Sequence, residues 1–294
     1  MGKLVPAGAT ALDVVETDYL VVGSGVAGLW TALRLAHRGT VALVTKDQLL
    51  ESSTFYAQGG IAVALSTEDS PEEHRADTLA AGAGLCDVGA VDVLTKQGPD
   101  LIKKLVRMGA QFDMAGEHFA LTREAAHRSN RILHAYGDAT GREVEVCLAN
   151  ESRTVERLRP FERLFVKHLL LNSNRTCVGV LAADLARGQD VIMRSRAVVL
   201  ATGGTGEIFG VSTNPPVTTG DGLAIAFRAG AALEDLEFVQ FHPTALAIPG
   251  HPHFLISEAA RGEGAILRNH GGVRFMSADH PDAELAPRDV VSRA

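Results

Sequence analysis

Gly23-Ser24-Gly25-Val26-Ala27-Gly28 is the first place in this chain where residue type and spacing suggest chemistry. Three glycines at these offsets, after an apolar run and ahead of a helical pattern, permit a tight turn, close approach of backbone to a diphosphate, and close packing of helix on strand. The helix N-terminus then faces the diphosphate. The acidic residue that usually reads a ribose hydroxyl is missing, because the next apolar run ends in Val44-Thr45-Lys46. Thr45 or Lys46 is left to take that place, which weakens a generic nicotinamide-dinucleotide reading. Next comes Ser52-Ser53-Thr54-Phe55-Tyr56-Ala57-Gln58-Gly59-Gly60. Its hydroxyls, amide and paired glycines suit hydrogen bonding to a polar ring edge or a phosphate, or make an ordinary polar loop.

The second half holds a different chemistry. In Phe238-Val-Gln240-Phe-His242-Pro-Thr244 a period of two sets Gln240, His242 and Thr244 on one face of an extended segment. A histidine flanked at i−2 and i+2 by hydrogen-bonding groups reads as a ligand contact; alone it would read as a satisfied structural residue. Ser257 and Glu258 precede Arg261, and Glu258 with Arg261 could equally be a helical i,i+3 ion pair of little weight. Arg288 in Leu-Ala-Pro-Arg-Asp289 offers a guanidinium for bidentate capture of a carboxylate, or a surface salt bridge to Asp289 or Glu284. Asp221, between two glycines at the head of an Ala-rich segment, serves as a helix N-cap, a cofactor ligand, or both. Ala201-Thr202-Gly203-Gly204 closes an apolar run and could be no more than a strand entering a turn.

These side chains need a scaffold. Asp18 to Val22, Ala27 to His37 and Val41 to Val44 alternate apolar run, helical spacing and apolar run, a β-α-β unit. Residues 71 to 112 carry polar/apolar spacing that suggests helices packed outside a sheet. The runs Phe161 to Leu171, Cys177 to Leu185 and Val191 to Leu200, parted by turn clusters, read as an antiparallel meander whose last strand rejoins the main sheet. Helical spacing returns from Gly220 to Gly230, and a segment dense in His, Pro and Gly follows.

Composition sets the outer bounds. The chain has 294 residues, 46% hydrophobic, with 30 glycines and 5% aromatics, enough for one large or two modest α/β domains. A net charge of −7 gives no basic field for a nucleic-acid backbone. Cys86, Cys147 and Cys177 lie far apart with no CxxC pair, which argues against a zinc site or a disulfide framework and fits a reducing cytoplasm. Asp13, Glu16 and Asp18 fall where a signal peptide needs an apolar run, Pro6 spoils a myristoylation motif, and no stretch is apolar enough to span a bilayer. No metal and no membrane are expected. Val290 to Ala294 reads as a helix just begun without a stop signal, so the chain is expected to be a fragment.

STFYAQGG, TREAAHRSNRILHAYGDATGRE, AVVLATGG, TNPPVTTGDG, LEFVQFHPTAL, EAARGEGAIL and LAPRDVVSRA follow in this order. By them the chain resembles the L-aspartate-oxidising branch of the succinate dehydrogenase/fumarate reductase flavoprotein family, from about residue 18 to the end. The resemblance implies an α/β fold: a Rossmann-like FAD-binding domain with an antiparallel β-meander over residues 1–236, lacking its final closing segment, and the beginning of an α+β capping domain over 237–294. It implies non-covalent FAD touched by Gly23, Ser24, Gly25, Val26, Ala27, Gly28, Lys46, Ser53, Thr54, Phe55, Tyr56, Ala57, Gln58, Gly59, Gly60, Ala201, Thr202, Gly203 and Asp221. The relatives that bind FAD covalently carry histidine at the position of Ser53, and a hydroxyl cannot supply that imidazole linkage.

The resemblance further implies oxidation of L-aspartate to iminoaspartate, toward quinolinate and NAD biosynthesis, with electrons passing to oxygen or fumarate and quinolinate synthase as a possible partner. Arg288 would be catalytic, as proton acceptor or donor; the residue itself argues only for carboxylate binding, since arginine is a poor base. Glu124, Gln240, His242, Thr244, Ser257 and Glu258 would bind the substrate. Glu124 is the natural reader of the ammonium that aspartate has and succinate lacks, or else part of a solvated helix start in a very polar run with Arg123, His127, Arg128 and Arg131. The family's two glycines after this glutamate are here Ala125 and Ala126, a strain if positive φ is needed. The alternatives are a soluble fumarate reductase or succinate-oxidising flavoprotein, and an inactive truncated flavin-binding fragment.

Overall fold

The computed structural model describes Leu12 to Ala294 except Ala125 and Pro252; Pro6 and Ala125, both singled out above, lie outside the described residues. The chain divides into two compact units, one made of 1–53, 148–208 and 214–235, the other of 54–147, 209–213 and 236–294.

The first unit is built on four short parallel strands in the order Ala197–Leu200, Tyr19–Val22, Val41–Val44, Leu158–Phe161. Tyr19 pairs with Val41 and Ala197, and Val41 with Leu158. Val41 to Val44 is buried at every position, which is why the sequence shows a continuous apolar run and no alternation. The helix Val26–Ala36 forms the crossover and turns Leu29, Ala32, Leu33 and Ala36 inward, an apolar stripe at helical spacing.

A second sheet in this unit runs Asp13–Glu16, Gln189–Arg194, Cys177–Asp184, Leu164–Leu171, antiparallel except for its first pair. Leu20, Val22, Ala42 and Val44 share one core with Val166, Val180, Val191, Met193 and, from the helix Asp221–Ala229, Ile225. Truncating Met193, fully buried, to alanine would cost roughly 2–5 kcal/mol.

Two expected strands divide in two. Leu158–Phe161 belongs to the parallel sheet and Leu164–Leu171 to the meander, with Arg163 between them at φ +56. Val191 to Leu200 breaks at Ser195-Arg196, where the Arg196 N–H donates to Asp18 O (3.1 Å) and its guanidinium pairs with Asp18 at 3.0 Å. That break lets the chain leave the meander and rejoin the parallel sheet as Ala197–Leu200. The edge strand Asp13–Glu16 was hidden by its charges, which suit an exposed edge.

In the second unit the helices Pro71–Ala81 and Val88–Arg107 pack on each other. Both start on caps legible in the sequence: Ser70 accepts from Glu73 N at 3.1 Å and Asp87 from Ala90 N at 2.9 Å. Ile61–Ala62, Ile132–Leu133 and Leu121–Thr122 form a small antiparallel sheet in that order. Residues 236–294 are mostly irregular, with helices Ala259–Gly262, Met276–Asp279 and Arg288–Arg293 gathered on a small core of Met276, Ala286 and Val291. Among the described residues no helix is long and apolar enough to cross a membrane.

Candidate functional site

The glycine fingerprint forms a cradle in the first unit. Gly25 is the N-cap of the helix Val26–Ala36, with no side-chain cap bond of its own and no acidic residue in the first turn, so the positive end of the helix dipole is not offset there by a carboxylate of its own turn. A Cβ at Gly28 would lie 1.8 Å from Gly23 O, and one at Gly222 would lie 1.7 Å from Thr202 Oγ1, so only glycine permits these approaches. Ser24 Oγ is buried without a partner. A backbone cradle, a helix start and an orphaned hydroxyl fit the diphosphate of a dinucleotide.

Around it the other first-unit candidates meet. Lys46 ion-pairs with Asp221 and donates to Thr219 Oγ1 at 2.5 Å, while Ser53 and Thr218 share a 3.0 Å hydroxyl contact. Asp221 is not the N-cap: Gly220 holds that position at φ +72, and the Asp221 carboxylate is bound by Lys46 and by Thr219 Oγ1 at 2.9 Å. Ala201 follows its strand, its N–H donating to Val22 O at 2.7 Å, and Thr202 and Gly203 come next.

The second unit encloses an open cleft of about 960 Å³, lined by Gln58, Thr122, Glu124, His134, Ser257 and Glu258 among others. Gln58 lies in the loop Thr54 to Gly60, which turns on an Ala57 N–H donation to Thr54 O (3.1 Å), with Phe55 edge-on to Tyr56 at 5.3 Å. Burial, and then the charge of Glu258, push the Glu124 carboxyl above its ordinary range, against the pull of Arg288 and His134. Glu258 accepts from Arg288 Nε at 2.5 Å and stands 3.6 Å from buried Arg261. Neither salt bridge proposed for Arg288 from the sequence forms: Asp289 pairs with Arg293 and Glu284 with Arg274, each at 2.5 Å.

His242 and Thr244 are half-buried but form no strand. The chain bends at Pro243, and His242 Nδ1 lies 3.1 Å from Thr244 O, leaving buried Nε2 without a partner. Burial first, and then Arg288, hold this ring below the usual histidine range, so it is neutral near pH 7. Thr244 Oγ1 donates to Ile256 O at 3.0 Å, which ties Thr244 to the chain entering Ser257 and Glu258. The structure brings together Glu124, His242, Glu258 and Arg288, whereas Gln240 is exposed.

The polar run after Glu124 is not a solvated helix start. Arg131 is fully buried, its fork on Asp69 at 2.7 and 2.9 Å and its remaining nitrogen 2.8 Å from Asp77, which also takes Arg128. His74 and His127 lie beside it with ring centres 5.9 Å apart, and burial, then Arg131, lowers the pKa of both. Ala126 sits at φ +67, so alanine does occupy a left-handed position here. Arg131 and His134 were not recognised as site-building groups in the sequence; for His134, the sign was its place directly after the buried pair Ile132-Leu133.

Residues 18–294 match the family described as FAD binding domain, and the chain belongs to it. The L-aspartate oxidase of Nostoc sp. is 52% identical over 280 residues, covering 95% of this chain and 48% of that protein. That of Streptomyces coelicolor is 50% identical over 288 residues, covering 95% and 50%. An E. coli quinol fumarate reductase superposes with a TM-score of 0.89 at 32% identity, covering 96% of this chain and 50% of that one. A Mycobacterium smegmatis Sdh1 structure gives 0.83 at 34%, covering 96% and 49%. The chain spans about half the length of the curated relatives it matches. Its cofactor is FAD.

Proposed function

We propose that this chain is the N-terminal half of an L-aspartate oxidase, an enzyme that oxidises L-aspartate to iminoaspartate in the cytoplasm on the way to NAD. FAD, when bound, supplies the acceptor for the hydride. Gly23, Ser24, Gly25 and Gly28 would hold its diphosphate, with Lys46, Ser53, Thr202 and Asp221 near by in the same unit. The 1–236 and 237–294 division belongs to this proposal as cofactor-binding and substrate-capping parts.

The residues of the cleft account for the substrate. Arg288 pairs with Glu258 through Nε and keeps its side chain about one-third exposed, so the guanidinium can also meet a substrate carboxylate. His242, neutral with a free Nε2, adds a hydrogen-bonding group. Arg288 holds the carboxylate and, by resemblance, moves the proton. One observation carries the choice of aspartate over succinate: Glu124 is a desolvated carboxylate on the cleft wall, with no side-chain hydrogen bond or ion pair among the described residues. A half-buried, partly desolvated carboxylate is stabilised by a cation brought against it, and the substrate ammonium supplies one.

Full-length protein carrying E124Q is the test. Its KM for aspartate should rise roughly ten- to hundredfold, the worth of a charge-assisted hydrogen bond, while fumarate reduction stays near normal. Equal losses with both substrates would assign Glu124 to structure.

A further inference from the structure

We infer that His134 is a second specificity-determining residue, which accepts a hydrogen bond from the substrate ammonium through Nδ1 beside Glu124. The inference rests on the aspartate-oxidising reading above and extends it to a residue that neither motif nor resemblance assigned.

Three features converge. First, His134 lines the cleft that Glu124 lines. Second, its two nitrogens are unequally engaged. Nε2 lies 2.9 Å from Thr122 Oγ1, whereas Nδ1 is fully buried with no partner among the described residues. In the tautomer whose Nε2–H donates to the threonine, Nδ1 is an acceptor. A buried, unpaired acceptor costs about 1–3 kcal/mol, so its retention on a cleft wall points to a donor that arrives with the ligand.

Third, the ring is packed in place. A Cβ at Gly60 would fall 2.9 Å from His134 Cε1, 2.7 Å from Leu133 O and 2.3 Å from Ile132 Cγ2. The strand Ile132–Leu133 is itself held at Arg131, whose N–H donates to Thr122 O at 3.0 Å and whose carbonyl accepts from Val63 N at 2.9 Å. Backbone on both sides thus fixes the imidazole.

The chemistry of the cleft names the donor. Gln58 Oε1, on the same wall, is another buried acceptor without a partner among the described residues. A carboxylate, an imidazole nitrogen and an amide oxygen make three acceptors, and an alkylammonium brings three N–H donors. Succinate and fumarate bring none. A site whose buried polar groups are left unpaired by an analogue discriminates strongly against it.

The test uses full-length flavoprotein carrying H134Q, whose amide can still donate to Thr122 from the position of Nε2 but offers nothing at Nδ1. KM for aspartate should rise roughly ten- to hundredfold, with KM for fumarate within about threefold. T122V, which releases Nε2 and leaves Nδ1 free to carry the proton, should show a weaker effect of the same kind. Parallel losses for aspartate and fumarate in H134Q, or no change for either, would overturn the inference while leaving the aspartate reading standing. A wild-type enzyme that oxidises no aspartate would overturn both.

Discussion

Removing the guanidinium at Arg131 should be among the most damaging single changes in the second unit. The side chain is fully buried and binds Asp69 through two bonds, 2.7 and 2.9 Å, and Asp77 through one of 2.8 Å. Asp77 keeps two other contacts, from Arg128 N at 3.1 Å and Nε at 2.5 Å, whereas every hydrogen bond to the Asp69 side chain among the described residues comes from Arg131. R131M therefore strands one fully buried carboxylate, and breaking a buried pair from one side costs about 3–5 kcal/mol. R131K retains the charge but cannot fork onto Asp69 while reaching Asp77, and should lose about half as much. D69N in the R131M background should restore part of the loss, because the stranded charge is gone. Thermal unfolding followed by circular dichroism would read R131M as a fall of roughly 5–15 °C in the transition of this unit. If R131M unfolds within a degree or two of wild type, the network contributes little and the reasoning fails.

Two further outcomes are expected. A126G should stabilise by up to about 1 kcal/mol, because relief of the left-handed strain at φ +67 exceeds the added entropy of the unfolded chain; a loss of stability on denaturant titration would contradict this. Glu284 is buried against Arg274 and its carboxyl is lowered from 4.5 to about 2, so its contribution is present above pH 4.5 and lost as pH falls toward 2. E284Q should flatten that part of the acid-unfolding curve, and an unchanged curve would remove Glu284 from the account.

Much of the scaffold was legible because its signals are local. Val41 to Val44 and Tyr19 to Val22 announce buried parallel strands, and the fingerprint between them announces a tight turn into a helix, from neighbours in sequence alone. Arg131 could not be read this way: Asp69 and Asp77 are 62 and 54 residues distant, so a polar run that looks solvated is in fact a buried anchor. The same limit hid His134, whose importance depends on Gly60 and Thr122 packing around it. For Gln240, His242 and Thr244 alternation suggested one extended face, but Pro243 bends the chain and a His242–Thr244 contact replaces the strand. Arg288 was found by its motif, while its partner Glu258, 30 residues away, was recognised as a neighbour of the site and not as its ion pair.

The proposed function is oxidation of an amino dicarboxylate by a non-covalently held FAD. Purified full-length protein, kept free of oxygen and titrated with L-aspartate, tests it most directly. The visible flavin absorbance should fall stoichiometrically with aspartate and barely change with succinate, and denaturation should then release all the flavin into solution, since Ser53 provides no imidazole for a covalent bond. A flavin bleached by succinate but not by aspartate, or one that stays attached to the denatured chain, would contradict the account.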